Sequence, residues 1–283
     1  MYILSFDIEE WFHLLDHPST RYEKHWAKFE SRIDANLERI LNLLESSNTQ
    51  ATFFCLGWIA ENYPYIIKKI SQRGYQIACH SHRHQLAYEQ KKNEFRNDLL
   101  DAKYAIEDVS GVKLDTYRIP GFSLTDQNLW VLDVLSEEGF KVDCSVFPAN
   151  RGHGGLPSFK SEGPSLIELK NGSTLKELPL NTYPVLGNRM VFSGGGYFRL
   201  LPYPILKKMF KKSEYVMTYF HPRDFDPDQP VIKDLSFIRK FKSYYGLNSA
   251  KSKLEKLLSD FDFVDVQTAV GSIDWSATPK VSI

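Results

Sequence analysis

A chain of 283 residues with 42% hydrophobic side chains can bury a sizeable core, either as one large α/β domain or as two smaller ones. Lysine plus arginine equals aspartate plus glutamate at 35 each, and no basic stripe with interleaved aromatics occurs, so neither nucleic acid nor an anionic membrane surface is indicated as a partner. The start, "MYILSFDIEEWF", carries an acid by Asp7 and lacks a basic segment followed by a long apolar one, which reads as no signal peptide, no transmembrane helix and a cytoplasmic location. Cys55, Cys79 and Cys144 are scattered without CxxC spacing and are read as buried thiols.

"YILSFDI" is a short run of β-formers and predicts a first strand. In "SRIDANLERILNLLESS" the residues Ile33, Leu37, Ile40, Leu41 and Leu44 recur at three- and four-residue steps, the face of an amphipathic helix. "ATFFCLG" follows as a strand, "IAENYPYIIKKISQRG" as a helix interrupted by Pro64, and "YQIAC" as a further strand. "NEFRNDLLDAKYAIEDVSG" repeats the helical spacing through Phe95, Leu99, Ala102 and Ile106, with Gly111 as the stop. "KLDTYRIPG", "TDQNLWVLDVLSEEG" and "FKVDCSVF" continue as strand, helix and strand, with Thr125 or Asp126 as the helix N-cap.

From Asn150 to Arg199 glycine, proline and asparagine become dense, which predicts an insertion of loops and a hairpin, although strand-like pieces such as "LKELPL" remain. The α/β pattern resumes with "LPYPILKKMF", "YVMTYFHP", two helices between Asp234 and Phe261, and "FDFVDVQTA". Residues 276–283 read as a frayed tail beyond a single domain of residues 1–270. Strands alternating with helices of this length argue for parallel βαβ units, wound into a barrel or an open sheet.

"CHSHRH", residues 79–84, places histidines directly after a predicted strand, where parallel α/β folds put their chemistry. On a helix, residues four apart share a face, so His80 and His84 are the expected metal pair and His82 points elsewhere. The spacing alone also describes two solvated histidines. A hydrolytic metal site needs a third, anionic ligand. Along the first strand, Asp7 and Glu9 project to one side and Ile8 to the other. Two neighbouring carboxylates repel unless a cation joins them, so one is expected to bind the ion and the other to act as base; the competing reading is a pair of capping or salt-bridging charges. The same alternation turns Cys79 away.

Taken together, "SFDIEEW", "ATFFCLGW", "CHSHRH", "RIPG" and "YFHP" resemble, in this order, the motifs of the polysaccharide deacetylase family, carbohydrate esterase family 4. The resemblance implies an α/β fold, a distorted, incomplete (β/α) barrel of about seven parallel strands, and removal of N-acetyl groups from amino sugars with a divalent metal, commonly zinc. It assigns Asp7 as base, His80 and His84 as metal ligands, Arg118 as the residue holding the base, and His221 as general acid. Ile8 stands where the commonest first motif has a second aspartate, so the acidic metal ligand is Glu9, with Glu10 second to it. Gly121, followed by Phe122, stands where an aromatic is usual, and its backbone N–H is assigned to the oxyanion. The fourth motif is poorly matched at Asp143, Val146 and Phe147, which leaves open which carboxylate orients His221; Asp224 and Asp226 are near in sequence. "HSHRH", "GGGYFRLLPYP" and "HPRDFDP" further resemble a signal-peptide-free branch associated with surface-glycan synthesis.

Trp11 and Tyr197, with Gly121 and Phe122, are candidate substrate contacts, against the usual burial of aromatics in cores. His17, His25, His82 and His153 default to solvated or hydrogen-bonded roles. The expected partner is an N-acetylated sugar or oligosaccharide, and the 150–199 loops are a candidate homo-oligomer interface or substrate wall. Two rival functions are an allantoinase-like amide hydrolase on the same scaffold and a catalytically inactive glycan-binding protein.

Overall fold

The computed structural model describes residues 1–15, 17–150, 154–185, 187–233 and 235–283; His153 and Asp234 lie outside them. In chain order the elements are β1 (Tyr2–Ile3), β2 (Ser5–Ile8), α1 (Ile33–Ser46), β3 (Thr52–Cys55), α2 (Gly57–Asn62), α3 (Pro64–Gln72), β4 (Gln76–Cys79), α4 (Lys92–Ser110), β5 (Thr116–Tyr117), α5 (Trp130–Glu137) and β6 (Val142–Asp143). There follow β7 (Ser165–Glu168), β8 (Thr174–Glu177), β9 (Tyr183–Val185), β10 (Asn188–Met190), α6 (Gly195–Leu200), α7 (Tyr203–Lys212), β11 (Val216–Met217), α8 (Phe237–Tyr244), α9 (Leu247–Asp260), β12 (Phe263–Val264), α10 (Val266–Ser272) and β13 (Lys280–Ser282).

The strands β2, β3, β4, β5, β6 and β8 pair in parallel in that order. On the other side of the first strand, β1 pairs in parallel with β11, and Phe6 bridges to Phe220. Counting β1 and β2 as one strand, seven parallel strands therefore surround the interior. The ring is left open between β8 and β11, where Gly194 runs beside Tyr219 and Asn181 Oδ1 accepts from the Met217 amide at 3.3 Å. A side chain at Gly194 would meet the Tyr219 carbonyl oxygen at 2.4 Å, so this approach requires glycine. The result is the distorted, incomplete (β/α) barrel expected.

Period-two alternation sorts the strand residues into two apolar layers. Leu4, Phe6, Ile8, Phe53, Cys55, Ile77 and Cys79 face the helices. Ile3, Phe54, Ala78, Val142, Cys144, Leu178 and Met217 fill the barrel. Asp7 and Glu9 share the inward parity of Ile3. The helices follow the predicted spacing: α1 buries Ile33, Leu37, Ile40, Leu41 and Leu44, and α4 ends at Gly111, whose φ of 70° suits glycine. Pro64 divides the second predicted helix into α2 and α3 because it can start a helix but not continue one.

Three expectations need correction. The 150–199 region is more than an insertion, because "LKELPL" supplies β8, a barrel strand, and pairs antiparallel with β7; a second hairpin joins β9 to β10. Its alternating Leu175 and Glu177 side chains are both buried, which accounts for its place in the sheet. Residues 276–283 are not a frayed tail, since β13 adds in parallel to the open edge of β7 and satisfies its backbone groups. Neither Thr125 nor Asp126 caps α5, which starts at Trp130; Asn128 Oδ1 instead accepts from the Thr125 amide and hydroxyl at 2.7 and 2.8 Å, holding a turn before the helix.

Two acids, Asp143 on β6 and Glu177 on β8, are fully buried and hydrogen-bonded to each other. Burial raises both: Asp143 is pushed up to about 6 and Glu177 well above the carboxylate range, the latter also by the Asp143 charge. Unfolded, both titrate near about 4. From about 4 upward, through about 6 for Asp143 and beyond it for Glu177, the native state thus binds more protons than the unfolded one, and stability falls as pH rises. Glu177→Gln keeps an acceptor for the Val146 amide and supplies a permanent donor to Asp143. Its Tm relative to the parent chain is expected to be more favourable at pH 7 than at pH 5 by scanning calorimetry; a difference that does not change with pH would refute a shared proton.

Candidate active site

The histidine segment is a tight loop and not the expected helix. Ser81 and His84 have φ of 69° and 50°, left-handed values that cost about 1–3 kcal/mol each in residues with a Cβ. Asp98 of α4 holds the loop, accepting from the His82 amide at 2.8 Å and the Arg83 amide at 3.1 Å. The loop lies against the start of α2, where a side chain on Gly57 would come within 2.5 Å of His82 Nδ1 and 2.6 Å of Ala102 Cα. His80 and His84 converge through this fold-back, their ring centroids 5.4 Å apart.

Glu9 Oε1 lies 3.6 Å from His80 Nε2, 3.3 Å from His84 Nε2 and 3.3 Å from His221 Nε2. Glu9, His80 and His84 are buried and form one donor group able to hold a metal ion; Asp7, Glu9 and His221 form a second. The first suits a cation on a separate ground. His80 Nδ1 meets the Arg118 carbonyl oxygen at 2.8 Å and must donate to it, so Nε2 carries the lone pair, and that atom is buried with no hydrogen-bond partner. Burial opposes ionisation of Glu9, yet the charges of His84 and His221 hold its carboxyl well below the usual range.

Asp7 is fixed from the other side. Arg118 Nη1 donates to Asp7 Oδ1 at 2.7 Å, both residues are buried, and the guanidinium stacks over Phe54 at 3.9 Å. Asp7 Oδ2 faces His221 Nε2 at 3.8 Å. The carboxylate beside His221 Nδ1 is that of Asp224, whose Oδ2 accepts from the ring at 3.2 Å and from the His221 amide at 3.0 Å. Arg199 Nε lies 3.1 Å from the other Asp224 oxygen. Burial opposes the charged ring, but Glu9 and Asp224 together push His221 up to about 10.

The other acids have separate tasks. Glu10 accepts from the amides of Arg32 and Ile33 at 3.0 and 3.2 Å at the start of α1, away from the histidine cluster. Asp226 is paired with Arg32 and Asn36, and Asp143 with Glu177. Gly121 and Phe122 line the same pocket as Asp7, Glu9, His80, His84 and His221, with φ of 62° and 51°. Trp11 does not: it is 4% exposed, donates to the Glu30 carbonyl at 2.9 Å and packs on Phe12 and Phe29, because the chain turns inward after Glu10. Tyr197 is also off the pocket, exposed on α6 between Gly195 and Arg199, which do line it. Cys79 is buried in the outer layer with its thiol pushed up to about 12 by burial. His82 is buried near Glu61, while His17 and His25 bond to Ser19 and the Pro18 carbonyl.

Comparison with known proteins agrees with this geometry. The polysaccharide deacetylase family profile matches residues 20–142, and a domain of unknown function, DUF3473, matches residues 144–271. The chain carries a polysaccharide deacetylase domain. It is 28% identical over 117 residues to a peptidoglycan-N-acetylglucosamine deacetylase of Bacillus cereus, covering 37% of this chain and 42% of that protein. The alignment thus spans less than half of that relative's length. A proposed polysaccharide deacetylase from Mycobacterium smegmatis superposes with a TM-score of 0.67 at 19% identity, over 100% of this chain and 92% of the other. A carbohydrate esterase family 4 pseudoenzyme from Bacillus anthracis superposes with a TM-score of 0.51 at 12% identity, over 95% and 64%. These likenesses show the fold.

Among the charged and titratable residues that line the polysaccharide deacetylase pocket, His13, Arg199, Arg223, Arg239 and Lys242 were not read as site residues from sequence, and Asp224 was one of two acids noted near His221. Asp224 had a legible signal, an acid three residues after His221 across Pro222, the spacing of a capping box. His13 is buried beside His84, with ring centroids 6.0 Å apart, and its ring is held neutral by burial and by the His84 charge. Arg199 and Arg223 reach the pocket only through tertiary packing. In Asp224→Asn the His221 ring loses one of its two counter-charges, so its pKa should drop from about 10. An NMR titration of the imidazole in metal-free protein checks this, and an unmoved titration would assign the shift to Glu9 alone.

Proposed function

We propose that the protein is a metal-dependent deacetylase that removes the acetyl group from an N-acetylated amino sugar in a glycan or glycan precursor. The observation that carries the reading is the convergence of Glu9, His80 and His84 on one point, with Asp7 and His221 within reach of it. Glu9, His80 and His84 would hold the ion, zinc being the choice that two imidazoles and a carboxylate suit. When bound, such an ion lowers the pKa of water from about 15.7 toward 7 and polarises the acetamide carbonyl.

The chain's own groups supply the proton transfers. Arg118 occupies one oxygen of Asp7 and leaves the other facing the pocket, where it can take a proton from the attacking water. Glu9 and Asp224 raise the His221 pKa, to about 10 without a metal, and its Nε2 points into the pocket while Asp224 holds Nδ1. It can therefore give a proton to the departing amine, which leaves poorly without one. The backbone N–H of Gly121, a residue of the pocket wall, would serve the oxyanion. A pseudoenzyme shares this fold, so the fold alone does not argue for catalysis; the retained donors and acid–base pair do.

Three free, buried cysteines fit a reducing compartment, and a cytoplasmic enzyme would act on a biosynthetic intermediate of a surface glycan. No helix among the described residues is long and apolar enough to cross a membrane.

His221→Ala should lower acetate release from N-acetylated oligosaccharides by about 10²–10⁴-fold with the circular dichroism spectrum unchanged, and Asp7→Asn should lower it as much while also lowering Tm. The double variant His80→Ala, His84→Ala should lose stoichiometric metal by elemental analysis; full activity in it would sink the metal reading. Ureido-ring compounds run in parallel test the rival, and turnover of these without acetate release would favour an allantoinase-like enzyme.

A further inference from the structure

Asp7, Glu9 and Asp224 line the pocket, and so do Arg199, Arg223 and Lys242. Each acid is already matched: Asp7 by Arg118 at 2.7 Å, Asp224 by Arg199 at 3.1 Å, and Glu9 by the rings of His84 and His221, each at 3.3 Å. Arg199 is further tied by its guanidinium to the carbonyls of Lys242, Ser243 and Tyr245, at 2.9–3.0 Å, so it belongs to the scaffold of α6 and α8.

Arg223 is different. It is only 8% exposed, yet its Nη2 is buried without a hydrogen-bond partner among the described residues. Its guanidinium lies 5.8 Å from the centroid of the Tyr244 ring; burial and then the Arg199 charge act on it unfavourably and outweigh the favourable charges of Asp224 and Glu9. The backbone is held in place, since Gln229 Nε2 donates to the Arg223 carbonyl at 2.7 Å. A desolvated cation beside another cation is costly unless an anion completes it. Arginine's planar fork suits a carboxylate or a phosphate, which it binds through paired, charge-assisted hydrogen bonds. Lys242 lines the same pocket from α8.

We infer that Arg223 is the centre of an anion subsite beside the reacting groups, and that the natural substrate is an acidic glycan bearing a carboxylate or phosphate near the acetamido sugar. This rests on the deacetylase reading for the sugar but not for the anion. It separates the protein's substrate from neutral chitin-like oligosaccharides, whose hydroxyl groups would give the buried Arg223 Nη2 no charged acceptor.

The test uses three N-acetylglucosamine oligosaccharides of equal length, one neutral, one carrying a uronic acid and one carrying a phosphate ester. Acetate release and calorimetric binding are measured on the full metal-loaded chain, its Arg223→Gln variant and its Arg223→Lys variant. For the parent chain, kcat/KM and affinity should be at least about tenfold higher for one charged probe than for the neutral one, as expected of a charge-assisted pair. That preference should fall to near unity in Arg223→Gln and be partly kept in Arg223→Lys; which charged probe wins identifies the group. Equal values on all three probes, or a preference that survives Arg223→Gln, would overturn the subsite. Acetate release from none of the probes would overturn the deacetylase reading alone, and calorimetry would still decide the anion: a charge preference lost in Arg223→Gln upholds the subsite, and its absence refutes it.

Discussion

The site depends on one buried residue, Arg118. Its guanidinium neutralises Asp7 inside the barrel, and its carbonyl receives the proton of His80 Nδ1. The base and one metal-binding imidazole are thereby positioned by the two ends of a single residue. Arg118 is in turn held by the sheet, its amide continuing the β4–β5 ladder through the Cys79 carbonyl at 2.9 Å. Removing either member of such a buried pair leaves an uncompensated charge, which costs about 3–5 kcal/mol, so positioning and folding are not separable here. The ion pair also explains why a carboxylate can sit in the barrel interior among Ile3, Phe54 and Met217.

Around that anchor the acids have divided their tasks by environment. Glu9 is shared by both candidate donor groups and faces imidazoles. Asp224 stands behind His221 and is itself held by Arg199, which links α6 to the turn between α8 and α9. Glu10, one residue from Glu9, points the other way and satisfies the free amides at the start of α1. Adjacent residues of one strand end thus serve the site and the scaffold, because successive side chains leave a strand on opposite faces. Backbone strain collects at the same place: of the four described non-glycine residues with positive φ, Ser81, His84 and Phe122 lie in the two loops that form the pocket wall.

Much of the fold was legible in the chain because local rules dominate it. The spacing of Leu37, Ile40 and Leu44 could bury only one helical face, and Gly111 and Pro64 could only end or begin a helix. The misreadings occurred where a distant partner decides the outcome. Residues 276–283 are polar and near a terminus, and only the open edge of β7 makes them a strand. "LKELPL" lies in a loop-rich stretch, and its place as a barrel strand is set by β6.

For the site, the sequence by itself determined the residue types and the parity that aims Asp7 and Glu9 into the barrel, since both are properties of one short strand. It also separated His80 and His84 from His82, although the reason given, a helix, was wrong; a left-handed fold-back pinned by Asp98 brings the two rings together. Asp224, three residues from His221, was within local reach, but the tertiary structure alone decided that Asp143 pairs with Glu177 and that Arg199 and Arg223 face the pocket. Those outcomes depend on segments tens of residues apart meeting in the barrel, and no local periodicity encodes such a meeting.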